Sequence, residues 1–417
     1  MPLIDRIISK VVGRSVVPGD IQVVRIDVVY SHDGTAPLAI NVIEKELGIK
    51  RKVAVNHAYF VIDHLAPAPH VAGATIHKEM RRFAREYGVK LFDVGRGISH
   101  QIMVEEGIVR PGMIVIGGDS HTPTVGAVGA YALGVGSTDV AVAMLFGELW
   151  LKIPETVKVT LHGSLPMGVM SKDIILHIIG EVKADGMLGK AVEFRGETLR
   201  ELSIDSRMTL TNMSTEMSAE SAIIPLDSVT RQWLAEKGYE VFRNINWESE
   251  EGFADEIPVE VETLEPLVAA PPDVDNVKSI SEVEGVEVDQ VFIGSCTNGR
   301  LEDLEVAARI LQNQTVKNGI RCIVAPASRK VYLEALRRGY IDTLLRAGCV
   351  IAPPTCGPCV GAHMGLLAAG EMAVATTNRN FPGRMGHVES KVYLASPAVA
   401  AASAIEGAIA DPRKYLR

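Results

Sequence analysis

The sequence predicts an α/β protein, with parallel or mixed sheets flanked by helices. Three observations carry this. Short apolar runs of strand length alternate with helical stretches, and such alternation demands crossover connections between parallel strands. Gly is plentiful and aromatic residues make up only 5% of the 417, which suits tight turns and close packing of helix on sheet. Polar, titratable residues stand directly behind the apolar runs, where ligands bind in open parallel sheets. With 47% hydrophobic and 22% charged residues, the core is large enough to need no disulfide staples.

Taken in order, IDVVYSH, YFVI and MIVIGG read as strands, with Asp33, Asp63-His64 and Asp119-Ser120-His121 behind them. A helix-like stretch covers 139–151, and ETVKVTLHGSL begins a fresh strand beyond Pro154. Residues 246–262 are acidic and poor in core residues. The stretch after them holds Pro266, Pro271 and Pro272 and reads as an irregular linker between domains. QVFIGS is the next strand. LEDLEVAARILQ follows, with Leu301, Leu304, Ala308 and Leu311 on one helical face. IRCIVAP is a strand, and Ser328 caps the helix RKVYLEALRRG, which stops at Gly339. CVIAP and EMAVATT are two further strands. Cys296, the pair Cys356 and Cys359, and Arg379 fall behind three of these C-terminal strands. Three domains are expected, at 1–153, 154–269 and 270–417.

Charge narrows the function classes. Forty-two basic against 51 acidic residues give a net −9, so the basic footprint of a nucleic-acid binder is absent. No run approaches the ~18 apolar residues of a membrane span. The longest small-apolar stretch, Ala395–Ala410, is broken by Pro397 and Glu406. The start MPLIDRIISK has no apolar signal core. A cytoplasmic protein with no nucleic-acid or membrane partner is expected.

The five cysteines, Cys296, Cys322, Cys349, Cys356 and Cys359, are too few and odd in number for a disulfide framework. Cys356-Gly-Pro-Cys359 by itself admits a thioredoxin-like dithiol, a zinc site with His363, or an iron–sulfur cluster with Cys296 as third ligand. Thr355 stands where a thioredoxin motif has an aromatic, and little chain follows for that fold. Zinc is disfavoured because Cys296 lies in GSCTNGR rather than in a knuckle. Three thiolates would leave one iron of a four-iron cluster without a protein ligand, able to act as a Lewis acid. Cys322 and Cys349 lie in apolar strand sequence and read as core. So do His57, His70, His77 and His162 read as ordinary surface or core residues. The Gly-rich stretch 117–136 is no nucleotide fingerprint, since Asp139 stands where a third Gly would be needed.

GSCTNGR (294–300), TCGPCVGAH (355–363) and TTNRNFPGRMG (376–386) resemble the 3-isopropylmalate dehydratase and homoaconitase large subunits of the aconitase superfamily. So do SHDGTAPLA (31–39), GISHQIM (97–103), GGDSHTPTVGAVGAYALGVGSTD (117–139), GKAVEFRGE (189–197) and TLTNMSTE (209–216), in order along the chain. LEPLVA (264–269) and DNVKSISEVEG (275–285) fit as well. The resemblance implies three α/β domains of the aconitase type, without the mobile fourth domain. It implies a [4Fe-4S] cluster on Cys296, Cys356 and Cys359 with one iron not ligated by protein. It also implies a hydroxyl moved between adjacent carbons by dehydration and rehydration.

Asp63 and His64 match the superfamily's acid pair, and His100, Asp119, His121 and Glu216 match further catalytic positions. His32, Ser120, Arg379 and Arg384 match substrate-binding ones. The expected substrate is a small malate-like di- or tricarboxylate, isopropylmalate rather than homocitrate. The superfamily's fourth domain supplies a Ser base and a substrate Arg, with a signature resembling YGxGSSRE. That signature is not found here, so a separate small subunit is expected to supply both groups. Three departures stand out: Pro123 where relatives commonly have Cys, Thr211 in TLTNM where they read TICNM, and NMSTE for NMAIE.

Overall fold

A computed structural model describes residues 1–54, 57–248 and 250–416. They cluster into two units. The first comprises Met1–Val94, Ser99–His162 and Asp185–Val259; the second comprises Gly95–Ile98, Gly163–Ala184 and Glu260–Arg417.

The first unit is built on a five-stranded parallel sheet. Its order is Lys90–Phe92, Ala58–Val61, Val28–His32, Ile114–Gly117 and Tyr131–Gly134. The central strand is buried along its whole length, as parallel strands covered on both faces must be. Successive residues feed two separate cores, as the strand period of two requires. Val29, Phe60 and Ile116 enter one with Leu3, Ile7, Phe83 and Met144, while Tyr30, Val61 and Val115 enter the other with Ile102 and Met208. A second sheet in this unit runs Ser221–Ile223, Lys190–Arg195, Glu155–His162, Asp255–Glu260.

The stretch 139–151, expected as one helix, divides. The helix Ser137–Phe146 stops at Gly147, whose φ of +73° is the left-handed value that glycine adopts without strain. Glu148–Lys152 then alternates exposed and buried residues and pairs antiparallel with Ile21–Arg25. Of the acidic stretch 246–262, Ser249 lies outside the described residues, while Asp255–Glu260 is an edge strand that tolerates Pro258.

The second unit holds a seven-stranded mixed sheet ordered Val277–Ser279, Leu267–Ala269, Lys391–Ala395, Met372–Ala375, Gln290–Ile293, Arg321–Val324, Val350–Ile351. The last five strands are parallel and the first three pair antiparallel. The proline-rich stretch, expected to be irregular, therefore contributes the first two strands; its prolines sit between and before them. Helices Leu301–Leu311 and Arg329–Arg337 carry the expected patterns, a further helix covers Pro397–Glu406, and Ser328 accepts the Val331 N–H as N-cap at 3.1 Å. Cys322 and Cys349 are buried in this unit's core with Val291, Leu304 and Val374. No described helix is long and apolar enough to cross a membrane.

The helix Ile204–Met213 leads straight into the turn Ser214–Met217, which carries Glu216. It is held by Arg207, whose side chain is fully buried. Arg207 donates to both Asp227 oxygens at 2.9 and 2.6 Å, to Thr230 Oγ1 at 3.0 Å, and to the Leu199 and Leu202 carbonyls at 2.5 and 3.1 Å. Removing one partner of a buried ion pair leaves the other uncompensated. Arg207→Met should therefore destabilise the fold by about 3 kcal/mol, measured as a lower denaturant midpoint; an unchanged midpoint would show that the pair holds nothing in place.

Candidate active site

Two groups of chemistry-bearing residues form, one in each unit. In the first unit the group lies at the carboxyl ends of the three central parallel strands. Asp33, following Val28–His32, is fully buried. Its Oδ1 accepts the N–H groups of Asp63 and His64 at 3.3 and 2.9 Å, and its Oδ2 accepts that of Leu65 at 2.8 Å. His77 Nε2 completes the set at 3.0 Å from Oδ2. Burial pushes the Asp33 carboxyl up, yet the His77 hydrogen bond and the neighbouring His64 and His32 outweigh it and hold Asp33 well below the usual carboxylate range. One carboxylate thus fixes the loop behind the neighbouring strand.

That loop presents Asp63 and His64. His64 Nδ1 lies 2.7 Å from Asp63 Oδ1, and Asp63 Oδ2 accepts the Ser99 N–H at 2.6 Å. Asp63 therefore orients the imidazole through Nδ1 and leaves Nε2 as the proton-transfer atom. The ring stacks on His32, with centroids 3.8 Å apart. His32 Nδ1 accepts the Gly34 N–H at 3.0 Å, so its proton sits on Nε2, which donates to Asp119 Oδ2 at 2.9 Å.

Asp119 is the hub of the group. Besides His32, it meets His100 Nε2 at 3.2 Å and the His121 N–H at 2.6 Å, while His64 Nε2 stands 3.9 Å from it. Burial opposes its ionisation, but these donors hold it well below the ordinary value. His100 and His121 are driven apart by their surroundings. Burial lowers His100, whose Nδ1 meets the Tyr30 hydroxyl at 2.7 Å. Burial also works against a charged His121, but Asp119 and Glu216 outweigh it and raise its pKa; Glu216 Oε1 lies 2.6 Å from His121 Nε2. Ser120 is exposed, with Oγ 3.3 Å from His121 Nδ1. Thr211 donates to the Thr124 carbonyl at 2.9 Å, and Asn212 reaches Thr124 Oγ1 at 2.8 Å. These bonds tie the Glu216 helix to the turn behind His121.

All of His32, Asp63, His64, His100, Asp119, Ser120, His121 and Glu216 are brought together. Ligand atoms of His32, Asp33, Asp63 and His64 lie within 4.8 Å of one another. Both Asp33 oxygens, however, are already spent on N–H donors, so the group suits proton transfer better than metal binding. Sequence reasoning missed the roles of Asp33, His77 and Tyr30. Asp33 had a signal, its place behind a strand. His77 had none, because it comes from a helix 44 residues away.

In the second unit Cys296, Cys356 and Cys359 gather in one small buried group with Ile98 and Ala327, and none of the chain's cysteines is disulfide-bonded. Cys296 follows the strand Gln290–Ile293. Ser295 before it takes a left-handed φ of +78°, an unusual conformation for a side-chain-bearing residue. Arg300, almost fully buried, donates to the Cys296 and Thr297 carbonyls at 2.7 and 2.6 Å. Cys356 caps, and Cys359 lies within, a 3₁₀ turn whose Gly357 has φ +63° and would place a Cβ 2.8 Å from the Phe292 ring. Only glycine fits there.

The loop after Met372–Ala375 supplies donors to sulfur. Asn378 Nδ2 lies 3.3 Å from Cys296 Sγ, and Arg384 Nη2 lies 3.7 Å from Cys359 Sγ. Arg384 Nε is buried without a hydrogen-bond partner among the described residues, a cationic donor with capacity to spare. Arg379 is half-buried in the same loop. Lys172, fully buried, anchors that loop through the Thr376 and Thr377 carbonyls at 3.0 and 2.5 Å. Soft thiolates with N–H donors aimed at them suit an iron–sulfur cluster, whose sulfurs are tuned by such bonds.

A family model described as the aconitase family (aconitate hydratase) matches residues 6–407. The chain is 48% identical over 413 residues to the 3-isopropylmalate dehydratase large subunit 1 of Methanopyrus kandleri, covering 99% of each chain. It is 47% identical over 417 residues to the corresponding large subunit 1 of Thermotoga maritima, again over 99% of each. It is also 47% identical over 417 residues to the 3-isopropylmalate dehydratase large subunit of Caldivirga maquilingensis, over 100% of both.

The His121–Glu216 contact has a pH signature. With its folded pKa raised, protonation of His121 favours the fold. That contribution is complete below about pH 6.5, the unfolded value, and is lost as pH rises through the folded value. Glu216→Gln should move the His121 titration to lower pH, read by NMR of the imidazole; an unmoved titration would reject the pairing.

Proposed function

Since the chain belongs to the aconitase family, we propose that it is the large, cluster-binding subunit of a 3-isopropylmalate dehydratase. It would interconvert 2- and 3-isopropylmalate by dehydration and rehydration, in leucine biosynthesis. The observation that carries this reading is the gathering of Cys296, Cys356 and Cys359 into one buried group with N–H donors on their sulfurs. The full-length relatives named for this activity support the choice of substrate.

Cys296, Cys356 and Cys359 would hold a [4Fe-4S] cluster. Such a cluster, with three protein thiolates, supplies one open iron as a Lewis acid for a hydroxyl group. The chain's own residues would handle the leaving hydroxyl's proton and hold the substrate's carboxylates. Hydroxide is a poor leaving group, so a proton must be delivered to it. His64, held through Nδ1 by Asp63, would deliver that proton from Nε2 as general acid and take it back in the rehydration step. Asp119, with His32 and His100 hydrogen-bonded to it, would fix the rings beside this pair. Glu216 would keep His121 cationic. Arg379 and Arg384 would bind substrate carboxylates, for which a guanidinium fork is suited, and His32 and Ser120 would add polar contacts to the substrate.

The relatives' designation as large subunits supports a small-subunit partner. That partner would supply the Ser that removes the proton from carbon and a further substrate Arg.

Two outcomes check this. Cys296→Ser should lose cluster iron and turnover together, and full iron retention by the variant would reject the ligand assignment. With the small subunit present, Asp63→Asn should lower kcat on isopropylmalate by about 10²–10⁴ with little change in KM. Turnover of homocitrate but not isopropylmalate by the wild-type pair would replace the substrate.

A further inference from the structure

Cys322 and Cys349 have no part in the function proposed above, yet they are placed against each other. Cys322 lies in Arg321–Val324, and Cys349 stands directly before the edge strand Val350–Ile351. The two strands run parallel with Ile323 opposite Val350, so the cysteines face one another one step earlier in the same register. Their sulfurs are 3.1 Å apart, and both residues are buried. Paired strands lie ~4.8 Å apart, within the Cα separation that a disulfide spans. Among the described residues, the two cysteines share a core of apolar side chains.

The position matters. Val350–Ile351 is the last strand of the sheet, only two residues long, with Val350 exposed. Few ladder bonds secure it, and such an edge is among the first parts of a fold to open. The chain runs from it straight into Cys356 and Cys359.

We propose that Cys322 and Cys349 are an oxidisable pair that closes to an intrachain disulfide, stapling the strand that leads into the Cys356–Cys359 turn onto the sheet. The co-reactant is a small-molecule disulfide. As the edge strand opens, Cys349 gives its proton to solvent and its sulfur attacks the external disulfide. A mixed disulfide forms and one external thiol leaves. Cys322, deprotonated in turn, attacks Cys349 Sγ; the Sγ–Sγ bond forms and the second external thiol leaves. Two cysteine thiols are oxidised and one disulfide is reduced to two thiols. In the closed state the contact with Cys349 and burial hold the Cys322 thiol well above its ordinary pKa, so reaction is slow and the finished bond is shielded from reductant.

The full chain, incubated with oxidised glutathione, denatured and blocked with N-ethylmaleimide, is mapped by tryptic mass spectrometry. The expected product joins the peptide carrying Cys322 to the peptide carrying Cys349. Closing it should raise the thermal midpoint by about 2–5 °C, reversibly with dithiothreitol. Cys322→Ser should show neither effect, and should that variant not fold, the wild-type map decides alone. Recovery of both cysteines alkylated, capped separately by glutathione, or joined to Cys296, Cys356 or Cys359 would overturn the proposal.

Discussion

A parallel sheet leaves backbone N–H groups behind its strand ends that no further strand can satisfy. In the first unit, the Asp33 carboxylate accepts three of them in a row, from Asp63, His64 and Leu65. An unmet buried N–H costs ~1–3 kcal/mol, so this one side chain decides whether the loop can exist in its observed form. Everything beyond it is built on that loop. Asp63 orients His64 and also receives the Ser99 N–H at the start of the helix that carries His100. His100 meets Asp119, Asp119 receives the His121 N–H, and His121 meets Glu216. A buried polar network of this kind is rigid when each member is satisfied and costly when one is not.

The second unit solves the same problem with cations. Arg300 and Lys172 are both almost completely buried, and each donates to two backbone carbonyls. One fixes the segment of Cys296, the other the loop of Asn378, Arg379 and Arg384. Cysteines from two separate loops can then meet in one buried group, with donors already aimed at two of the sulfurs. Preorganised donors need no rearrangement when charge arrives, which is what a cluster of thiolates and bound carboxylates requires.

Much of this was legible in the sequence because parallel strands are short, apolar and followed at once by their functional residues. The strands behind Asp33, Asp63, Asp119 and Cys296 stand where the apolar runs lie. Local pattern failed where tertiary context decides. Leu267–Ala269 and Val277–Ser279 are too short and too close to prolines to announce themselves; the first pairs with the edge that Lys391–Ala395 offers, and the second pairs with the first. Glu148–Lys152 was absorbed into a helix because its apolar residues continue the preceding run, although Gly147 marks the stop. The catalytic candidates came from motif resemblance; their supports did not. Tyr30, His77 and Lys172 act through contacts distant in sequence, and spacing along the chain says nothing about them.

The central claim is that three thiolates of this chain hold a cluster with one open iron that meets the substrate. Mössbauer spectroscopy of the chain reconstituted with isotopically enriched iron, together with its small subunit, tests it most directly. The account predicts a [4Fe-4S] spectrum in which a single iron site shifts when isopropylmalate is added. A spectrum in which no site responds to substrate, or a protein that takes up zinc and no iron, would contradict it.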